Sequence, residues 1–263
     1  MSVLELPRDF RADLVLRYLG RDSDSLCERV EGNTITTASV TITLEKRRAL
    51  VNGPLDVAHR LLGLHVDNKR FERTHPDLVR DHEGARLPQT ATVWESLMWA
   101  IVGQQVNLAF AYRLRRVLVE LCGRDAGNGL RGHPTPADIA RLDYADLTAR
   151  QFSRSKAQYV IDTARLIASD ALPIETFPSR DAKDVEAALV SVRGIGTWTA
   201  NYVMMRGCAF PDSVPAGDSA LSASLRKYFD LDHRVDANET RTLMERFAPW
   251  RSLATYHFWL RAT

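Results

Sequence analysis

Val192-Arg193-Gly194-Ile195-Gly196-Thr197-Trp198 joins an apolar-striped segment (Val185, Ala188, Leu189, Val192) to a second helical segment running from Thr197 to about Arg206. Glycine takes positive φ without steric cost and lets a backbone approach a ligand closely. Gly194 and Gly196 therefore predict a tight turn between two helices, with free N–H groups opening the second. Such a helix start is a ready seat for a phosphate. An ordinary αα-turn has the same pattern.

Working outward, Val214-Pro215-Ala216-Gly217-Asp218 reads as a loop from its Pro and Gly. Asp218 opens an apolar-periodic run (Leu221, Leu225, Tyr228, Phe229). Asp is a favoured N-cap. The same carboxylate at the mouth of a cleft facing the turn would be available for chemistry, and the two roles are compatible. Trp198 and Tyr202 lie four apart and share a helix face. They read equally as core or as a pocket wall.

In combination, these pieces resemble the helix-hairpin-helix DNA glycosylases of base-excision repair, and within them the DNA-3-methyladenine glycosylase II type. The resemblance rests on Ile101-Val102-Gly103-Gln104-Gln105-Val106-Asn107, Ser155-Lys156-Ala157, Leu189 to Tyr202, Pro215 to Asp218 and Pro249-Trp250-Arg251-Ser252. They stand in the family's order over roughly residues 88–260. The resemblance implies an α+β chain. A small N-terminal α/β sheet domain (1–87) should precede an all-helical helix-hairpin-helix body (88–263), whose two helical subdomains flank the active-site cleft. It implies Asp218 as the catalytic carboxylate and Trp198, Tyr202, Trp259 and Tyr18 as base-pocket residues. It implies DNA contacts from Gln104, Gln105, Arg193, Gly194, Gly196 and Thr197. Two departures are visible: Gln105 stands where the family carries an apolar wedge, and Leu260 where it carries a Tyr.

The chemistry fits those residues. A glycosylase must extrude its target nucleotide from the stack. Breaking the sugar–base bond builds positive charge at C1′ and O4′, which one carboxylate stabilises while it orients a water. Electron-rich rings suit cationic alkylated bases, each contact contributing on the order of 0.5–2 kcal/mol. Members of this superfamily that also cut the backbone carry a Lys where this chain has Trp198, since an amine is needed for the Schiff base. The expectation is a monofunctional, water-using glycosylase for 3-methyladenine- or 7-methylguanine-type bases. A glycosylase for deaminated or other damaged bases, and a non-catalytic DNA-binding helix-hairpin-helix protein, remain the alternatives.

Composition bounds the rest. The 263 residues allow one large or two modest domains. A formal charge of +2 does not announce a nucleic-acid binder, although basic residues cluster at Lys69, Arg70, Arg73, Arg80 and Arg86 and at Arg113, Arg115 and Arg116. Arg154 and Lys156 read as phosphate contacts or surface charges. No apolar run is long enough to span a membrane, and no signal-peptide core opens the chain. Cys27, Cys122 and Cys208 lack metal spacing, fit a reducing compartment and are too few for a four-thiolate iron–sulfur cluster. The cysteine usage fits a cytoplasmic protein, nucleoid-associated if bacterial, and the resemblance implies a monomer acting on double-stranded DNA containing damaged bases. No cofactor is expected beyond a monovalent cation that family analogy allows at the hairpin.

Thr34 to Val51, rich in Thr, Val and Ile with alternation over 38–44, predicts strands. Asn52-Gly53-Pro54 ends them, and Leu55 to Leu62 reads as a helix. Asp9 to Leu19 reads as an early strand, holding Tyr18. From Thr92 the period is helical, with segments at 93–102, 108–121, 145–150, 156–169, 181–192, 244–250 and 252–259.

Overall fold

The computed structural model describes residues 1–262. Five strands, β1 (Ser2–Glu5), β2 (Glu28–Glu31), β3 (Thr34–Thr37), β4 (Thr41–Leu44) and β5 (Arg48–Asn52), form one antiparallel sheet in the order β1-β5-β4-β3-β2. Its register follows from the alternation. Ile35 pairs with Ile42 and Ile42 with Val51, so all three point to one face and are buried. Each such side chain contributes about 1.5–3 kcal/mol relative to exposure. Thr34 and Thr43 pair on the other face and share a 3.2 Å hydroxyl contact.

The buried face is covered by α1 (Ala12–Leu19) through Val15 and by α2 (Leu55–Leu61) through Ala58 and Leu61. The expected strand over 9–19 is therefore corrected to a helix. Leu14, Val15 and Tyr18 gather on one side of α1 while Arg11 and Asp13 pair on the surface, which is a 3.6-residue pattern. Its dense apolar content hides that period. Strands β1 and β2 are too short and polar to stand out in the sequence.

The rest is helical: α3 (Lys69–Thr74), α4 (Pro76–Val79), α5 (Val93–Gly103), α6 (Leu108–Cys122), α7 (Pro136–Ala140), α8 (Tyr144–Thr148), α9 (Arg154–Ala168), α10 (Ala182–Val190), α11 (Thr197–Arg206), α12 (Ser219–Tyr228), α13 (Ala237–Met244) and α14 (Arg251–Ala262). The helix expected over 244–250 is replaced by α13, which ends at Met244, and a single 3-10 turn at Glu245–Phe247. Asp236 fixes the start of α13 by accepting the amides of Asn238 and Glu239.

Two apolar clusters divide the body. One is built around α5, whose Trp94, Leu97, Met98, Ile101 and Val102 are all buried against residues of α6 and α9 to α11. The other joins Phe71, Leu78 and Val79 of α3 and α4 to Val214, Leu221, Leu225, Phe247, Leu253 and Phe258. Residues 69–79 thus share a core with α12 and α14. No described helix is long and apolar enough to cross a membrane.

Polar seams fasten these layers. Arg60 of α2 donates to the carbonyls of Thr90 (2.8 Å) and Gly207, crossing from the sheet layer to the end of α11. Asn68 donates to the Ala85 carbonyl, and Arg86 to that of Val66.

Candidate active site

The turn between α10 and α11 is built on Gly194, at φ +90. A Cβ there would stand 2.3 Å from the Tyr159 ring of α9, so the close approach of the turn to that ring admits only glycine. Gly196 is the N-cap of α11 in extended backbone, and a Cβ there would meet nothing within 4 Å. The first helical bond of α11 runs from Ala200 N–H to the Gly196 carbonyl, which leaves the amides just before it outside the helical ladder. Arg193, Gly196 and Thr197 are exposed beside them.

The α5–α6 loop is tied to this turn. The Gln104 side-chain amide donates to the Gly194 carbonyl and to the Thr199 hydroxyl, each at 2.9 Å. Gln104, expected to face DNA, instead turns inward and locks loop to hairpin. Gln105 is the outward residue: it is exposed, at φ 54. Leu108 opens α6 beside it, 56% exposed.

Lys156 is also inward. Its ammonium donates to the carbonyls of Ile101 (3.1 Å), Val102 (2.7 Å) and Gln104 (2.9 Å), and the residue is only 8% exposed. The reading of Lys156 as a phosphate contact gives way to this role, in which a cation satisfies the last carbonyls of α5. Burial lowers its pKa to about 8. Replacement by Met would leave those carbonyls without their donor. We expect Lys156→Met to lower unfolding free energy by about 1–3 kcal/mol in urea titrations; an unchanged midpoint would show that the ammonium contributes nothing net.

Asp218 caps α12. Its Oδ1 accepts the Leu221 amide at 2.9 Å and the Trp259 indole N–H at 3.0 Å. Its Oδ2 receives only a long bond, 3.4 Å, from the Trp198 indole N–H. One oxygen is therefore held by a helix start and an indole, while the other stays available to an incoming group. Trp198 on α11 and Trp259 on α14 grip the carboxylate from two sides. Tyr202 stands between them, its ring centroid 5.5 Å from that of Trp198 and 6.1 Å from that of Trp259. Three of the four aromatic residues singled out in the sequence, Trp198, Tyr202 and Trp259, thus gather around Asp218, although they come from α11 and α14.

Tyr18 lies deeper. It lines a cavity of about 130 Å³ together with Arg21, Trp99, Tyr112, Tyr202 and Arg206. Tyr202 belongs both to this cavity and to the wall around Asp218. The sequence reading missed Arg21, Trp99, Tyr112 and Arg206, since they come from separate elements and share no spacing. The guanidinium carbon of Arg21 sits 3.7 Å from the Tyr18 ring centroid and that of Arg206 4.4 Å.

With this geometry in view, comparison with known proteins places the chain. Residues 98–249 match the model of the HhH-GPD superfamily of base excision DNA repair proteins, and the protein belongs to that family. It is 34% identical over 182 residues to a putative DNA-3-methyladenine glycosylase, YfjP, of Bacillus subtilis. That match covers 69% of this chain and 63% of the relative, so the likeness spans less than two thirds of that protein's length. It is 29% identical to the DNA-3-methyladenine glycosylase of the same organism, across 98% of this chain and 95% of that one. The fold of the 3-methyladenine DNA-glycosylase from Archaeoglobus fulgidus superposes with a TM-score of 0.84 at 21% identity, over all of this chain and 98% of the other. The α+β architecture expected from the sequence, a small sheet domain before a helical body, is the one found.

Proposed function

We propose that the protein is a monofunctional DNA glycosylase that extrudes alkylated bases of the 3-methyladenine and 7-methylguanine type and hydrolyses their N-glycosidic bond. The observation that carries this reading is Asp218: a carboxylate held by two indoles, against an aromatic wall, next to a glycine hairpin. The exposed amides at the start of α11 would take a DNA phosphate, and Gln105 would enter the gap left by the extruded nucleotide. The base would lie against Tyr202 and Trp259, with C1′ facing Oδ2 of Asp218.

The reaction balances simply. The C1′–N bond breaks and its electron pair leaves with the base, neutralising a base that began as a cation. Water forms the new C1′–O bond, and Asp218 accepts its proton. The carboxylate stabilises the charge on C1′ while that charge exists. Trp198 supports the absence of lyase chemistry, because an indole cannot form the imine a backbone-cutting enzyme requires. Deaminated bases are the second substrate class, favoured by the guanidiniums in the deeper cavity.

Two further parts of the reading concern what accompanies the protein. The carbonyls of Val192 and Gly194 each accept one hydrogen bond and keep a second lone pair, so the turn is chemically compatible with a monovalent cation. The protein would work as a monomer on damaged duplex DNA in the cytoplasm, with no iron–sulfur cluster. The test is product analysis on methylated duplex DNA. Free methylpurines should appear while the strand stays intact until alkali is added. Strand nicking without alkali, or an adduct trapped by borohydride, would contradict the monofunctional reading.

A further inference from the structure

We propose that Arg21 and Arg206 form an acceptor-reading end of the base pocket, which favours damaged bases with a carbonyl at the deep edge, the 6-oxopurines, over 6-aminopurines. The proposal rests on the glycosylase reading and narrows its substrate class.

Arg21 follows α1 and lines the cavity behind Tyr202. Its Nε donates to the Tyr112 hydroxyl at 2.8 Å and its Nη1 to the Tyr18 carbonyl at 3.2 Å. Arg21 is exposed at the cavity's rim, and no ion pair ties its guanidinium to a carboxylate of the described residues. Arg206, at the end of α11, is 3% exposed, and its Nε and Nη1 are buried without any hydrogen-bond partner. Guanidinium N–H groups left unpaired in a buried site are costly, so those of Arg206 call for an acceptor from outside the chain, while Arg21 adds a solvent-reachable guanidinium beside the same Tyr18 ring.

The acids nearest the cavity do not supply that acceptor. Glu28 is engaged bidentately by Arg115, at 2.7 and 2.6 Å, and Asp22 leans toward the same Arg115 at 4.0 Å. Glu95 also lines the cavity, but its Oε2 accepts the Ala91 amide and burial pushes its pKa up to about 7, so the charged groups facing the Tyr18 ring are the two guanidiniums. An arginine always carries its charge and has no acceptor. It therefore matches a carbonyl oxygen and rejects an amine.

The geometry of a purine selects the edge. The sugar is attached at N9, and the C6 edge lies at the opposite end of the ring system. With C1′ beside Asp218, that edge goes deepest, past Tyr202 and toward Arg21 and Arg206. A guanine-type base presents O6, an acceptor, whereas an adenine-type base presents the N6 amine, a donor. The positive charge of 7-methylguanine and 3-methyladenine is common to both, so repulsion from the guanidiniums cancels in their comparison. Hypoxanthine has O6 without that charge and should also be accepted.

The experiment is release of 7-methylguanine and 3-methyladenine from one sample of methylated duplex DNA, read as a ratio of rates. Arg21→Leu should lower the ratio of 7-methylguanine to 3-methyladenine release at least tenfold relative to wild type. Arg21→Lys, which keeps a charge and a donor but not the planar fork, should recover part of it. If Arg21→Leu fails to fold by its melting curve, Arg21→Gln carries the same comparison. An unchanged ratio in a folded variant, or a ratio that rises, overturns the proposal. Wild type that binds DNA but releases neither methylpurine nor hypoxanthine fails the glycosylase reading itself, and the proposal falls with it.

Discussion

Asp218→Asn is expected to slow base release by at least about 10²–10³-fold, on the scale of losing a preorganised electrostatic group, while leaving DNA binding close to that of wild type. The substitution separates chemistry from structure. Asn is as good an N-cap as Asp, so the bond from the Leu221 amide to the side chain survives and α12 keeps its start. The amide oxygen can still take the Trp259 indole N–H. In the proposed mechanism the substitution removes the negative charge beside C1′ and the acceptor for water's proton. Release measured under single turnover, with the thermal midpoint as a control, checks this. Wild-type release rates in the variant would remove Asp218 from the mechanism.

Gly194→Ala should be the most damaging change in the hairpin, costing about 2–5 kcal/mol of stability. Part is the left-handed backbone, roughly 1–2 kcal/mol for a residue with a Cβ. The remainder is overpacking of about 1–3 kcal/mol against the Tyr159 ring, which the new methyl would meet at 2.3 Å. Denaturant unfolding measures it directly. Gly196→Ala offers a contrast. Its φ of -90 suits alanine and its Cβ would project into open space, so folding should be little changed. That open space is where a phosphate would approach, and affinity for duplex DNA should drop at least tenfold. A Gly194→Ala protein as stable as wild type would contradict the packing account of the turn.

How much of this was legible in the sequence depends on the range of the signal. Alternation over Thr41–Leu44 and the Gly194–Trp198 hairpin are local patterns, and strand and turn appear where they were expected. The α1 segment was misread because Leu14, Val15, Leu16, Tyr18 and Leu19 crowd so much apolar surface into one turn and a half that period 2 and period 3.6 cannot be separated. Gln104 was expected to contact DNA, and Lys156 to be a phosphate contact or a surface charge, because polar residues in a loop or at a helix start usually face out. In the fold the last carbonyls of α5 and the carbonyl of Gly194 need donors, and these two side chains supply them. Such a demand is set by tertiary packing and leaves no trace in spacing. The same holds for Arg21, Trp99, Tyr112 and Arg206, which meet only when α1, α5, α6 and α11 are assembled. The N-cap position of Asp218 was legible because its helix-start signal and its place after a Pro/Gly loop are both local.

The most direct test of the central claim is parallel measurement of DNA binding and methylpurine release from methylated duplex DNA by wild type and by Asp218→Asn. The account predicts that both proteins bind and that only wild type releases free base at an appreciable rate. Wild type that binds the methylated duplex yet releases no base would contradict it.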